Sequence, residues 1–378
     1  MFDDFPTDLQ GQRVVVVGGG IIGTMHAIFA VIRGAEVVHL ERDKVPHGAT
    51  VRNFGLVWVS GRAAGRELEL ALRARELWGQ IGRAVPGIGF RANGSMTLVR
   101  TAEEMSVIEC AVDRPDAAVR GFELLDPVQS RLRNPGLRGE FLGALWCPLD
   151  AAVESRLALE ALRSWMSNSG RYRYLPAREL VGIANYEVVD HRGVHHGGDR
   201  VVLCLGAALS GFAAELFEDA PLRKVRLLMA ETGPLGRPLT TSVADGDSLR
   251  YYPAFASDAA DLLPPRNGFE ARHAVQMLCQ QRLHGGLTIG DTHETATDGQ
   301  FDISDCPLDV IAAAARELVG DDFPRVERRW SGVYDQLRDP GPGEVYYRRE
   351  VMKGVIVVTG AGGRGMTLAP AIAEESYQ

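Results

Sequence analysis

A run of four valines that ends abruptly in glycine constrains this chain more than any other feature. Arg13-Val14-Val15-Val16-Val17 leads directly into Gly18-Gly19-Gly20-Ile21-Ile22-Gly23. A continuous β-branched run suits a parallel strand buried on both faces. Residues Ile21 to Arg33 then carry apolar side chains at helical spacing, Gly34 supplies a stop, and Glu36 to Leu40 reads as a second buried strand. The pattern predicts a βαβ unit with a GxGxxG turn between strand and helix. In that turn Gly18 permits the tight bend, Gly20 lets backbone approach a diphosphate, and Gly23 lets the helix close on the strand. The helix start, at Ile21 and Ile22, offers unpaired N–H groups to negative charge. Glu41, 21 residues after Gly20, ends the second strand with Arg42 beside it. An acid there accepts from a ribose hydroxyl and favours a free 2′-OH. The turn alone fits NAD as well as FAD.

The other end of the chain separates the two. Gly354 to Thr359 reads as a buried strand, and Gly360-Ala361-Gly362-Gly363-Arg364-Gly365-Met366-Thr367 leads into a helix predicted over Met366 to Glu375. A second glycine-lined helix start puts partial positive charge beside another electron-rich group. The pyrimidine edge of a flavin, which gains negative charge on reduction, is such a group. Between the two ends, His47-Gly48-Ala49-Thr50-Val51-Arg52-Asn53-Phe54-Gly55-Leu56 follows the second strand. Small residues flanking Ala49, Thr50, Arg52 and Asn53 suit a loop pressed against a phosphate or a flavin ring. Arg200 to Gly206 reads as a further buried strand closing on glycine.

Elsewhere the patterns predict helices over Gly61 to Arg83, Ala102 to Arg114 and Glu154 to Ser167, and strands within Gly89 to Arg100 and Tyr172 to Asp190. The stretch from Ala220 to Asp322 reads as more irregular, and is the expected substrate-facing region. A formal charge of −8 works against a nucleic-acid partner. The five cysteines, Cys110, Cys147, Cys204, Cys279 and Cys306, form no CxxC pair, so no metal site is expected and a reducing cytoplasm fits. The acidic start Met1-Phe2-Asp3-Asp4 is unlike a signal peptide, and no apolar stretch nears the about 20 residues that span a bilayer.

Taken together, the segments Arg13 to Glu41, His47 to Gly55, Arg200 to Gly206 and Gly354 to Thr367 resemble the FAD-dependent amine oxidoreductases of the D-amino-acid oxidase, glycine oxidase and sarcosine oxidase superfamily. The resemblance spans nearly the whole chain. It implies an α/β fold, α+β overall, with a Rossmann-type FAD-binding domain over 1–85, 145–215 and 325–378. An interleaved substrate-binding domain, on a mixed or antiparallel sheet with helices, would take 86–144 and 216–324. Four segments are similar to the branch associated with aminophosphonate breakdown: Thr50 to Trp58, Leu249 to Pro253, Gly290 to Glu294 and Arg329 to Tyr334. The substrate so implied is 2-aminoethylphosphonate, or an N-methylated or hydroxylated relative, with oxygen as acceptor and FAD held noncovalently. Glycine, sarcosine or D-amino-acid oxidation, and a flavin-binding subunit without turnover, stand as alternatives. An anionic substrate end calls for guanidinium and tyrosine donors. Arg250, Tyr251, Tyr252, Arg329 and Tyr334 are therefore the expected substrate contacts, with His293 tuning the amine's protonation and Arg364 facing flavin or substrate.

Overall fold

The computed structural model describes residues 5–207, 211–295 and 302–378. Strand Arg13–Val17 lies at the heart of a six-stranded sheet, between Arg200–Leu203 and Glu36–Leu40, both parallel to it. Strand Tyr172–Leu175 extends one side of the sheet, and Val355–Thr359 followed by antiparallel Tyr347–Met352 extends the other. The valines are buried because both faces are covered. Helices Ile21–Ile32, Arg66–Ala84, Ser155–Ser167 and Gly365–Glu375 share one core with Val14 and Val16, while Val15 and Val17 face a second cluster with Leu180 and Phe217.

Among the described residues nine strands form the other large sheet. Val326–Leu337 and the short strand Glu294–Thr295 both pair with the long strand Leu222–Pro234, which is followed by Gly286–Gly290, Leu278–Gln281, Ser242–Ala244, Ser95–Val99, Gly143–Cys147 and Glu123–Leu125. The pairing is antiparallel except between Ser242–Ala244 and Ser95–Val99. Helix Asp305–Val319 covers one face through Leu308, Ile311, Ala315 and Leu318. The chain leaves the first sheet after Glu36–Leu40, and again after Arg200–Leu203, to build the second. Among the described residues no helix is long and apolar enough to cross a membrane.

The region from 220 to 322 holds the longest strand and a 15-residue helix. Within the long strand Lys224 and Arg226 are partnered by Asp335 and the Asp302 carbonyl, and loops separate the region's strands and short helices. The helix expected from Gly61 begins at Arg66, since Gly65 takes φ +82° and the preceding residues form a loop. Strand Gly143–Cys147 straddles the expected border at 145, and strand Val326–Leu337 lies beyond the one at 325 although both belong to the nine-stranded sheet. We propose that the last border falls after Leu337.

Candidate active site

The two sheets meet around a cavity of about 540 Å³, within the range of cofactor and ligand sites. One side is the glycine turn. Gly18 has φ +109°, and a Cβ there would lie 2.1 Å from the Cys204 carbonyl oxygen. Gly23 does not line the cavity; its Cβ would lie 2.0 Å from the Gly18 oxygen, so its hydrogen lets helix and strand meet. The helix that starts at Ile21 has no acidic residue in its first turn and no side-chain cap on Gly20. Its positive end therefore remains available to a diphosphate. The Ile21 N–H is capped from elsewhere, by Thr50 Oγ1 at 2.9 Å. Glu41 is buried; one carboxylate oxygen accepts the Gly19 N–H and the other accepts Asp43 N–H at 2.9 Å. Beneath the turn, burial pulls the pKa of His39 down to about 4. The ring is thus neutral at pH 7, with Nε2 2.9 Å from the Gly18 oxygen and Nδ1 2.9 Å from the Tyr172 hydroxyl.

The loop after the second strand contains a short 3-10 turn, Ala49–Arg52. Asn53 shapes it from within, donating to the Ala49 and Thr50 carbonyls and accepting from Gly55 N–H. Arg52 staples it to the 326–337 strand, donating to the His47 carbonyl at 2.6 Å and the Ser331 carbonyl at 2.8 Å. Both residues line the cavity, but their polar atoms are largely engaged by this chain. Gly206, with φ +62°, lines the same cavity, as do Ile22 and Arg42. Opposite, the 3-10 turn Gly362–Arg364 opens helix Gly365–Glu375, again with no acid in its first turn. Thr367 Oγ1 accepts the Trp58 N–H at 2.9 Å, and Trp78 donates to the Met366 carbonyl at 3.0 Å, which fixes this helix start against the cavity. Both glycine clusters thus border a single cavity, so the residues fit an extended dinucleotide with an electron-rich ring at its far end.

Of the expected substrate contacts, Tyr251, Tyr252, His293 and Tyr334 line the cavity and Arg250 and Arg329 do not. Successive residues on a helix point about 100° apart. Arg250 is accordingly exposed beside Asp247 at 3.5 Å, while Tyr251, next in the same short helix, faces inward. Arg329 lies an odd number of residues before Tyr334 on one strand and so takes the other face, pairing with Asp305 at 3.0 Å.

Four further residues line the cavity with no role assigned from the sequence: Trp58 and Asp291, which lie within the Thr50 to Trp58 and Gly290 to Glu294 segments, and Arg62 and Glu67. Arg62 fell in the stretch before Arg66 that was read as helix and forms a loop, whereas Glu67 lies in the helix itself, and nothing in their local pattern marks either. Arg62 donates to the Trp58 carbonyl at 2.8 Å and stands 3.5 Å from Glu67, whose other oxygen is 3.3 Å from Arg364. Asp291 accepts from Gln276 at 3.0 Å and lies 3.8 Å from His293; burial raises its carboxyl pKa. Burial likewise raises Tyr251, to about 12, and pushes Tyr252 and Tyr334 up further, so all three phenols stay protonated. Trp58 Nε1, His293 Nδ1 and Tyr334 OH are buried with no hydrogen-bond partner among the described residues. Three unsatisfied polar atoms around one cavity await a ligand's polar groups.

Comparison with known proteins bears on the family and the fold. The chain is 24% identical to one of the subunits of opine oxidase from Rhizobium meliloti, over 95% of this chain and 93% of that one. It is 27% identical to one of the subunits of the anaerobic glycerol-3-phosphate dehydrogenase from Escherichia coli, over 39% of this chain and 27% of that one. Among solved structures it shares its fold with glycine oxidase from Bacillus cereus (TM-score 0.76, 19% identity, covering 97% and 96% of the two chains). L-proline dehydrogenase from P. horikoshii is similar to the same degree (TM-score 0.76, 20% identity, 98% and 92%). The family model of the FAD dependent oxidoreductases (DAO) matches residues 13–377, and the chain therefore belongs to that FAD-dependent family.

Proposed function

We propose that this chain oxidises the carbon bearing the amine of a small anionic amine, and that the amine is 2-aminoethylphosphonate or an N-methylated or hydroxylated relative. The observation that carries the reading is the set of unsatisfied polar atoms on Trp58, His293 and Tyr334, gathered around the cavity that the two glycine clusters border. Bound FAD supplies the acceptor for the hydride that leaves the substrate carbon. The protein's own tasks are to orient that carbon, exclude water and lower the cost of the neutral amine. Asp291 and His293, 3.8 Å apart, are the groups able to take the ammonium proton. Water would then convert the resulting imine to phosphonoaldehyde plus amine, with oxygen as the proposed final acceptor and hydrogen peroxide as its product. Cys204, the one cysteine on the cavity wall among the described residues, is buried and held protonated by that burial, which supports noncovalent FAD.

A second reading, oxidation of an amino acid or N-substituted amino acid, draws support from the likeness to the opine oxidase chain over most of both sequences. An anaerobic flavin-bleaching screen over small amines with phosphonate or carboxylate ends decides between the two. Bleaching by aminoethylphosphonates supports the first; bleaching by amino acids alone overturns it in favour of the second. A yellow protein that no amine bleaches is a flavin-binding subunit without turnover.

A further inference from the structure

We infer that Arg62 and Arg364, bridged by Glu67, receive the anionic end of the substrate, while Asp291 and His293 at the opposite end of an aromatic wall receive its amine. This assignment rests on the reading of the chain as an oxidoreductase of an anionic amine and names the residues that select the anion.

The wall can be followed contact by contact. The Arg62 guanidinium lies 5.8 Å from the centre of the Tyr252 ring. Tyr252 meets Tyr251 edge-on at 5.0 Å, Tyr251 stacks on His293 at 4.0 Å, and His293 lies 3.8 Å from Asp291. A cationic pole and an acidic pole are thus joined by three rings, all lining the cavity. A short zwitterion would find complementary charge at both ends.

Charge balance points the same way. Arg62 and Glu67 have side-chain exposures of 6% and 9%, and Arg364 is at 18%. Two cations against one carboxylate leave a net +1, and an excess charge held out of water calls for a counter-ion. The other arginines on the cavity wall are otherwise occupied or solvated. Arg52 is committed to two carbonyls, Arg42 pairs with Asp43 at 54% exposure, and Arg223 is exposed. The 326–337 strand presents Tyr334 to the cavity, whereas its Arg329 points away.

Arg62 is also held as a binding residue must be. Buried Asp150 accepts the Val59 and Ser60 N–H groups, and Arg120, 1% exposed, donates to the carbonyls of Val59, Ser60 and Arg62. The loop that carries the guanidinium is therefore clamped from both sides, which limits the entropy lost when an anion docks.

The test is equilibrium binding of methylphosphonate and of acetate to the FAD-loaded protein, read as a visible difference spectrum, with KM and kcat for the best anionic amine alongside. Arg62→Lys, which keeps charge but loses the planar fork, and Arg364→Gln should each weaken both anions roughly tenfold or more and raise KM more than they lower kcat. Glu67→Gln should favour methylphosphonate over acetate severalfold above the second ionisation of the phosphonate, because the pole then carries +2. Arg329→Gln should bind both anions as wild type does. If both Arg62→Lys and Arg364→Gln stay folded and yellow yet bind the anions normally while wild type oxidises anionic amines, the assignment fails and the functional reading stands. Wild-type protein bleached only by uncharged amines overturns both.

Discussion

Replacing Asp150 tests how the site is built. This carboxylate is fully buried and accepts four hydrogen bonds, from the Val59 and Ser60 N–H groups and from the hydroxyls of Ser60 and Ser95 at 2.6 Å each. It joins the loop carrying Trp58 and Arg62 to the nine-stranded sheet. Alanine would leave two backbone donors buried without an acceptor, at about 1–3 kcal/mol each. With the two serine hydroxyls also deprived of their acceptor, the cost should reach about 3–5 kcal/mol, as when a buried charged network is broken. Asparagine keeps an oxygen where both N–H groups can use it, and its amide can donate to the serine oxygens once their hydrogens rotate away. Because desolvation already raises the Asp150 pKa, removing the charge also relieves a burial penalty. Asp150→Asn should therefore cost about 1 kcal/mol. Urea unfolding at one fixed excess of FAD measures both, since bound cofactor adds its own stabilisation. Asp150→Ala should in addition raise KM for the anionic amine. An asparagine variant as damaged as alanine, or an alanine variant costing less than about 1 kcal/mol, would refute this account.

Gly23→Ala should sharply reduce the FAD retained through purification, because the new methyl would sit 2.0 Å from the Gly18 oxygen and force the turn open; normal flavin content would contradict this. Glu41→Ala should raise the Kd for FAD roughly tenfold, measured by flavin fluorescence on reconstitution, since it removes a buried acceptor on the cavity wall and frees the Gly19 N–H. Asp245 is half-buried, and desolvation raises its folded pKa to about 7 from 3.8. Between those values the folded state keeps a proton that the unfolded chain has released, so its contribution is full below pH 3.8 and is lost as pH rises toward 7. Asp245→Asn should flatten the wild-type decline in urea stability over that interval; an unchanged slope would show that Asp245 ionises freely in the fold.

Local order determined much of what could be read in advance. The valine strand, the glycine turn, Glu41 and the second glycine cluster are contiguous patterns whose meaning depends on backbone geometry within a few residues. They were legible for that reason. The same holds for the helix after Thr359, which starts within one residue of its expected position.

Tertiary structure decided which side chains face the cavity. Tyr251 and Arg250 are neighbours in sequence, as Tyr334 and Arg329 nearly are, yet in each pair only the tyrosine turns inward. Arg62, Glu67 and Arg364 become a unit only because Gly65 ends the loop in a left-handed turn and the last helix folds back across the first sheet. Composition and periodicity along the chain specify elements; the direction a side chain takes, and what it meets, depends on register and on packing between segments hundreds of residues apart.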